Sequence, residues 1–201
     1  MKKPNKTGLS SSASNPTPTI KQHVANPSKD HTSIEQQALA LANQGQLQQA
    51  ETIYRNLIGA GTHNYIVYMN LATICGMQGR FDELIDLLKK TLELNPDDPD
   101  SNYKLGKALQ EQGDLNAAID SYKQAIQLKP NYPDALNNLG TALKQQGDLN
   151  AAIDSYKQAI QLKPSSPELL NNLGTALMEQ GNLNAAIDSY NKALSLKPNF
   201  Q

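Results

Sequence analysis

The feature that most constrains this chain is a ruler of glycines: Gly45, Gly79, Gly113, Gly147 and Gly181 stand 34 residues apart with no insertion between them. A fixed period in this range marks stacked supersecondary units, none of which can bury its apolar face alone. Residues 31–200 divide on that ruler into five units, 31–64, 65–98, 99–132, 133–166 and 167–200, beginning at His31, Tyr65, Pro99, Pro133 and Pro167. The last three units are near copies. The stretch GDLNAAIDSYKQAIQLKP occupies 113–130 and recurs unchanged at 147–164.

Within a unit the apolar residues fall at helical spacing in two blocks separated by the glycine, as in Leu105 and Leu109, then Leu115, Ile119, Tyr122 and Ile126. Each unit is therefore expected to be a pair of helices. The ruler glycine sits where the first helix ends, a place suited to a left-handed residue. Asp114, Asp148 and Asn182 follow it and are expected to cap the second helix. Pro96, Pro130, Pro164 and Pro198 stop the second helix, because proline disfavours helical backbone in its predecessor. Pro99, Pro133 and Pro167 open the next first helix, each followed by an acidic residue that suits a helix N-terminus.

Small residues set how closely the two helices approach. Gly106, Gly140 and Gly174 on the first helix are expected to face Ala118, Ala152 and Ala186 on the second, with Ala125, Ala159 and Ala193 as a further close contact. A Leu or Phe at Ala152 should overpack, at roughly 1–3 kcal/mol.

Composition agrees with an all-α fold, since only 5% of residues are aromatic and Trp is absent. The formal net charge of −1 conceals an asymmetry. Lys2, Lys3, Lys6, Lys21 and Lys29 stand against Asp30 in the first thirty residues, which leaves the repeat region net acidic. Nucleic-acid binding through the repeats is disfavoured, because phosphate contacts need a basic face. Residues 1–30 are rich in Ser, Asn, Thr, Pro and Lys and are expected to form a disordered basic tail, either an unstructured leader or an interaction arm. No apolar h-region follows the basic start and no run is long and apolar enough to span a bilayer, so no membrane role and a cytoplasmic location are expected.

In this frame the chain resembles the tetratricopeptide repeat (TPR) family, with Leu139, Gly140, Leu143, Gly147, Ala152, Tyr156, Ala159 and Pro164 at the family's spacings. The first two units diverge. Leu84 and Thr91 replace the alanine pair in the second, Leu57 replaces one alanine in the first, and Thr62 stands where proline is expected. Gly59, Ala60 and Gly61 suggest a loosened turn there. The resemblance implies a right-handed α-solenoid whose first helices line a concave groove, and a protein-interaction scaffold that binds a peptide segment in it.

On that reading the candidate contacts are Asn70 and Thr73, then Tyr103, Lys104 and Lys107, then Asn137, Asn138, Thr141 and Lys144, then Asn171, Asn172 and Thr175, with Ile66, Met69 and Met178 beside them. Asn70, Asn138 and Asn172 occupy equivalent places and resemble the asparagine ladder with which relatives hold an extended peptide, although Lys104 interrupts it and Gln36 replaces it in the first unit. Either the amides bind backbone or they are consensus residues inherited by duplication. The carboxylate clamp of some family members is matched only at Asn70 and Lys104, the remaining places holding Glu35, Leu39 and Asp100. Lys104, Lys107 and Lys144 either favour an acidic ligand or form a solvated face.

Catalytic chemistry is not expected. His23, His31 and His63 are scattered and none pairs at metal-ligand spacing, so neither a metal nor a cofactor is expected. Asp120, Asp154 and Asp188 belong to the outer wall by helical phase, and Cys75, the single cysteine, takes an inward core place as a buried thiol. Phe200 ends the fifth unit and Gln201 follows it directly, which is expected to leave its apolar strip without a polar covering helix. The repeats would then be the recruiting part of a longer TPR-fused glycosyltransferase or sulfotransferase, or would self-associate as a homo-oligomer.

Overall fold

A computed structural model of the chain describes residues 27–197, with side chains from Thr32 onward. Among these residues the chain forms ten helices in sequence: α1 Pro27–Asn43, α2 Leu47–Gly59, α3 Tyr65–Met77, α4 Phe81–Leu94, α5 Pro99–Glu111, α6 Leu115–Leu128, α7 Pro133–Gln146, α8 Leu149–Leu162, α9 Pro167–Glu179 and α10 Leu183–Leu196. They form an α-solenoid, in which each odd-numbered helix packs on the even-numbered one after it and each even-numbered helix packs on the next odd one.

Local signals account for the helix boundaries. Gly45, Gly79, Gly113, Gly147 and Gly181 all adopt positive φ between helices, as a tight reversal requires. Asp114, Asp148 and Asn182 accept a hydrogen bond from the backbone N–H of Ala117, Ala151 and Ala185. Gln46 and Arg80 hold the same place in the first two hairpins and make no such cap.

Three local expectations need correction. The expected tail lies outside the described residues except for 27–30, which begin α1, because Pro27 supplies a first-turn residue for which a missing N–H costs nothing. The turn after α2 is closed and not loosened. Gly61 takes φ +81, its N–H and that of Thr62 donate to Ile58 O and Leu57 O, and this left-handed closure replaces the absent proline.

The third concerns the glycines of the first helices. A Cβ at Gly106, Gly140 or Gly174 would lie 2.7 Å from the ring of Tyr122, Tyr156 or Tyr190, so the glycines make room for a tyrosine and not for the facing alanine. Ala118, Ala152 and Ala186 are buried one helical turn earlier on the same face. Thr91, in place of an alanine, is fully buried and satisfies its hydroxyl by donating to Leu87 O at 2.8 Å.

The core is a strip that runs along the stack. One cluster extends from Ala72 to Ala186 and another from Ala38 to Cys75, and Leu84 and Leu87 pack against both. Where the first two hairpins meet, a closed set of four charges adds a polar tie. Arg55 and Arg80 each pair with both Glu51 and Glu83, at 2.6–2.8 Å. Burial opposes ionisation of Glu51, but hydrogen bonds from Arg55 and Arg80 outweigh it and hold the carboxyl below its ordinary value.

Candidate functional site

The inner side of the array follows from which helices meet across a repeat. α5 touches α7 and α7 touches α9, whereas the second helices make no comparable contact with one another. The stack therefore curves with its first helices inside. The candidate residues lie on the first helices α3, α5, α7 and α9, outside the fully buried core. Asn70, Tyr103, Lys104, Asn137, Asn138, Thr141, Lys144, Asn171, Asn172 and Thr175 are half-buried, and Thr73 and Lys107 are exposed. Asp120, Asp154 and Asp188 are exposed on the second helices.

Side-chain bonds lace the inner surface from one repeat to the next. Asn138 Nδ2 donates to the Tyr103 hydroxyl at 3.2 Å, Asn172 Nδ2 to Asn137 Oδ1 at 2.9 Å, and Lys104 Nζ reaches Thr73 Oγ1 at 3.5 Å. Asn70 Nδ2 turns to the Tyr54 hydroxyl. Each ladder amide thus spends one of its two N–H donors within the array, which leaves the other N–H and the carbonyl oxygen for a peptide bound there. Thr141 and Thr175 donate back to Asn137 O and Asn171 O, and their oxygens also meet the hydroxyls of Tyr156 and Tyr190.

The three lysines do not share one environment. Lys144 is ion-paired with Glu179 at 3.0 Å. Lys104 and Lys107 have no carboxylate at ion-pairing distance among the described residues, and Lys107 lies 6.0 Å from the centre of the Tyr103 ring. Tyr103 packs on Tyr132 with ring centres 5.0 Å apart, and the Tyr132 hydroxyl donates to Asp100. Burial, with the Asp134 charge as a smaller contribution, raises the Tyr103 phenol above its ordinary value, so it remains a neutral hydrogen-bonding group.

Two hollows open on either side of this lysine pair. One, of about 520 Å³, lies between α3, the start of α4 and α5, and is walled by Ala72, Gly76, Met77, Phe81 and Leu84 with Lys104 and Lys107 at its edge. The other, of about 610 Å³, lies toward the N-terminal ends of α3 and α5 and is walled by Tyr65, Ile66, Met69, Tyr103 and Tyr132, with Asp98 and Asp100. Sequence reasoning reached Ile66, Met69, Tyr103 and both lysines but missed Met77, Phe81, Tyr65 and Tyr132. Met77 is 68% exposed at the end of its helix, and an exposed methionine there was the one available signal.

Cys75 is fully buried, and burial, reinforced by the nearby Glu83, raises its thiol to about 11, which keeps it protonated and unreactive at neutral pH. His63 is exposed in the turn before α3. No helix among the described residues is long and apolar enough to cross a membrane.

Comparison with known proteins agrees with this architecture. A family model described as TPR repeat matches residues 77–113, 111–147 and 140–181, and one described as tetratricopeptide repeat matches 167–200. No curated protein sequence matches the chain significantly. Among solved structures, a MamA protein is 25% identical with a TM-score of 0.81, over 85% of this chain and 93% of its own. MamA 41-end from Desulfovibrio magneticus RS-1 is 17% identical with a TM-score of 0.77, over 87% and 97%. YrrB, titled a TPR protein with an unusual peptide-binding site, is 20% identical with a TM-score of 0.77, over 83% and 86%. With more than half its length matched by the family model and its helices stacked as described, the chain belongs to the tetratricopeptide repeat family.

Proposed function

We propose that the array is a non-catalytic, cytoplasmic protein-interaction scaffold that holds a peptide segment of a partner protein in its concave groove. The observation that carries this reading is the inner face itself. It is polar and half-buried along α3, α5, α7 and α9, and it is indented by hollows large enough for side chains of a partner. YrrB, on the same fold, is a TPR protein with a peptide-binding site. The candidate contacts are those of the inner face: Asn70, Thr73, Tyr103, Lys104, Lys107, Asn137, Asn138, Thr141, Lys144, Asn171, Asn172 and Thr175.

The test places a photo-crosslinking amino acid at Thr141 or Thr175 of the full chain, and at Asp154 or Lys157 of the outer wall, in native extract. Partner crosslinks from the inner positions alone are expected. Crosslinks from the wall, with none from the groove, would move the binding surface elsewhere.

One observation favours a second reading, self-association. Ile119 and Ile153 are 4% exposed because the next first helix covers them, whereas the equivalent Ile187 of α10 is 54% exposed, beside Leu183 and Leu194. The first helix of a second copy would cover the same strip. Sedimentation of the full chain at rising concentration should then show head-to-tail dimers and longer oligomers that an Ile187→Lys variant does not form; a concentration-independent monomer would refute it.

A further inference from the structure

The repeated sequence supplies its own baseline for the groove. At the three inner positions of each first helix, α7 carries Asn137, Asn138 and Thr141, and α9 carries Asn171, Asn172 and Thr175. α3 keeps Asn70 and Thr73 at the last two. α5 replaces the whole set with Tyr103, Lys104 and Lys107, as the divergent α1 does with Glu35, Gln36 and Leu39. Among α3, α5, α7 and α9 the repeated inner set is thus lost entirely at α5 alone, and hollows of about 520 and 610 Å³ open beside that helix.

Charge and spacing then define what fits there. Lys104 and Lys107 stand on the ridge between the hollows without an ion-pair partner, although Lys144 on the next helix has one. The acidic residues nearby are partly committed: Asp98 caps α5 by accepting from Ser101 N, and Asp100 accepts from the Tyr132 hydroxyl and lies 3.8 Å from Lys129. Glu111 remains at the rim of the Met77 hollow. The two hollows are centred about eight residues apart along α3, or about 12 Å at the helical rise. An extended chain covers that distance in about four residues, and its positions i, i+2 and i+4 project to one side.

We propose that the α5 segment of the groove selects an extended acidic peptide in which an Asp or Glu side chain, set between large apolar residues at i and i+4, meets Lys104 and Lys107 while those residues enter the two hollows. The proposal rests on the groove reading and names its ligand class. The cations supply selectivity, because an uncharged residue would leave them unpaired beside buried apolar surface. The hollows supply contact area.

Selection of random dodecapeptides displayed on phage against the immobilised full chain tests it, followed by fluorescence anisotropy of the enriched peptides. The comparison protein is Lys104→Asn, Lys107→Thr, which restores the residues that α7 carries and so preserves the fold. Enriched peptides are expected to hold an acidic residue two positions from apolar ones, to bind the variant about tenfold more weakly or worse, and to weaken as salt is raised. Enrichment of neutral or basic peptides, or equal binding to the variant, overturns the assignment to α5 and leaves the groove reading standing. No enrichment at all, or enriched peptides that crosslink only to the outer wall, overturns both.

Discussion

The contact between Gly140 and Tyr156 allows a quantitative test of how the hairpins are packed. A Cβ at Gly140 would sit 2.7 Å from Tyr156 Cε1, 2.9 Å from Cδ1 and 3.0 Å from Cζ. The ring is 1% exposed, and its hydroxyl is held 3.1 Å from Thr141 Oγ1, so it cannot swing aside without losing that bond. Gly140→Ala thus sets two effects against each other. Overpacking costs about 1–3 kcal/mol, and replacing glycine by alanine inside a helix returns about 1 kcal/mol. The expected net is a loss of about 0–2 kcal/mol. Gly76→Ala is the control, because its Cβ would meet only the Leu84 side chain, Cδ2 at 3.5 Å and Cδ1 at 3.9 Å, both ordinary contacts, and so keeps the propensity gain.

The first two hairpins carry natural variants of this pair. Ala72 and Leu88 occupy the places of Gly140 and Tyr156 in the second, and both are fully buried. Ala38 and Tyr54 occupy them in the first, where α1 and α2 touch less extensively than the later pairs do. A Gly140→Ala, Tyr156→Leu double variant should therefore recover part of the loss, with a coupling of at least about 0.5 kcal/mol in its favour. Urea unfolding by circular dichroism, with hydrogen exchange across α7 and α8 to localise the effect, provides the numbers. A Gly140→Ala protein stabilised as much as Gly76→Ala would refute the argument that the ring dictates the glycine.

Gln46 sits at the N-terminus of α2 with φ −82 and ψ 57 and makes no side-chain cap, while Asp148 caps α8 from a similar backbone. Gln46→Asp should add about 1 kcal/mol of stability, read as a raised urea midpoint and greater exchange protection in α2. Glu51 makes a pH prediction: its folded carboxyl lies below the ordinary value of 4.5, so its contribution is fully present above 4.5 and is lost as pH falls from there through the lower folded value. Thermal melts between pH 7 and 3 should show α2 and α4 loosening before α6 to α9, and Glu51→Gln should flatten that dependence; a uniform acid response along the array would count against it.

The fold was legible because local signals repeat in register: the left-handed glycine five times, and the cap after it and the proline at the next helix start three times each, all reinforcing one frame. What failed were pairings within that frame. Ala118 and Tyr122 lie one turn apart on the same face of α6, so periodicity could place both inward but could not say which one meets Gly106. That choice depends on how far the two helices slide along each other. The four-charge tie of Glu51, Arg55, Arg80 and Glu83 was hidden for a similar reason, since Arg80 stands where the last three hairpins carry a cap and reads as a defect until its partner Glu51 on α2 is known. In the groove the polar residues could be named, but the direction of the asparagine amides could not, because it depends on hydroxyls and carbonyls one repeat away.

The departure of α5 from the repeated inner set bears on function on the same physical grounds. In a stack where each unit contacts only its neighbours, a residue on the inner face can change without disturbing the core, provided the residues beneath it hold the helices in place. α5 meets that condition: Leu105, Ala108 and Leu109 remain buried, as their counterparts do in α7, while Tyr103, Lys104 and Lys107 depart from the repeated set. Structure constrains one face of the helix and leaves the other free. Two departures, Ser101 and Asn102, are buried, while Tyr103, Lys104 and Lys107 form a cluster beside the open hollows, which is where the proposed ligand preference would lie.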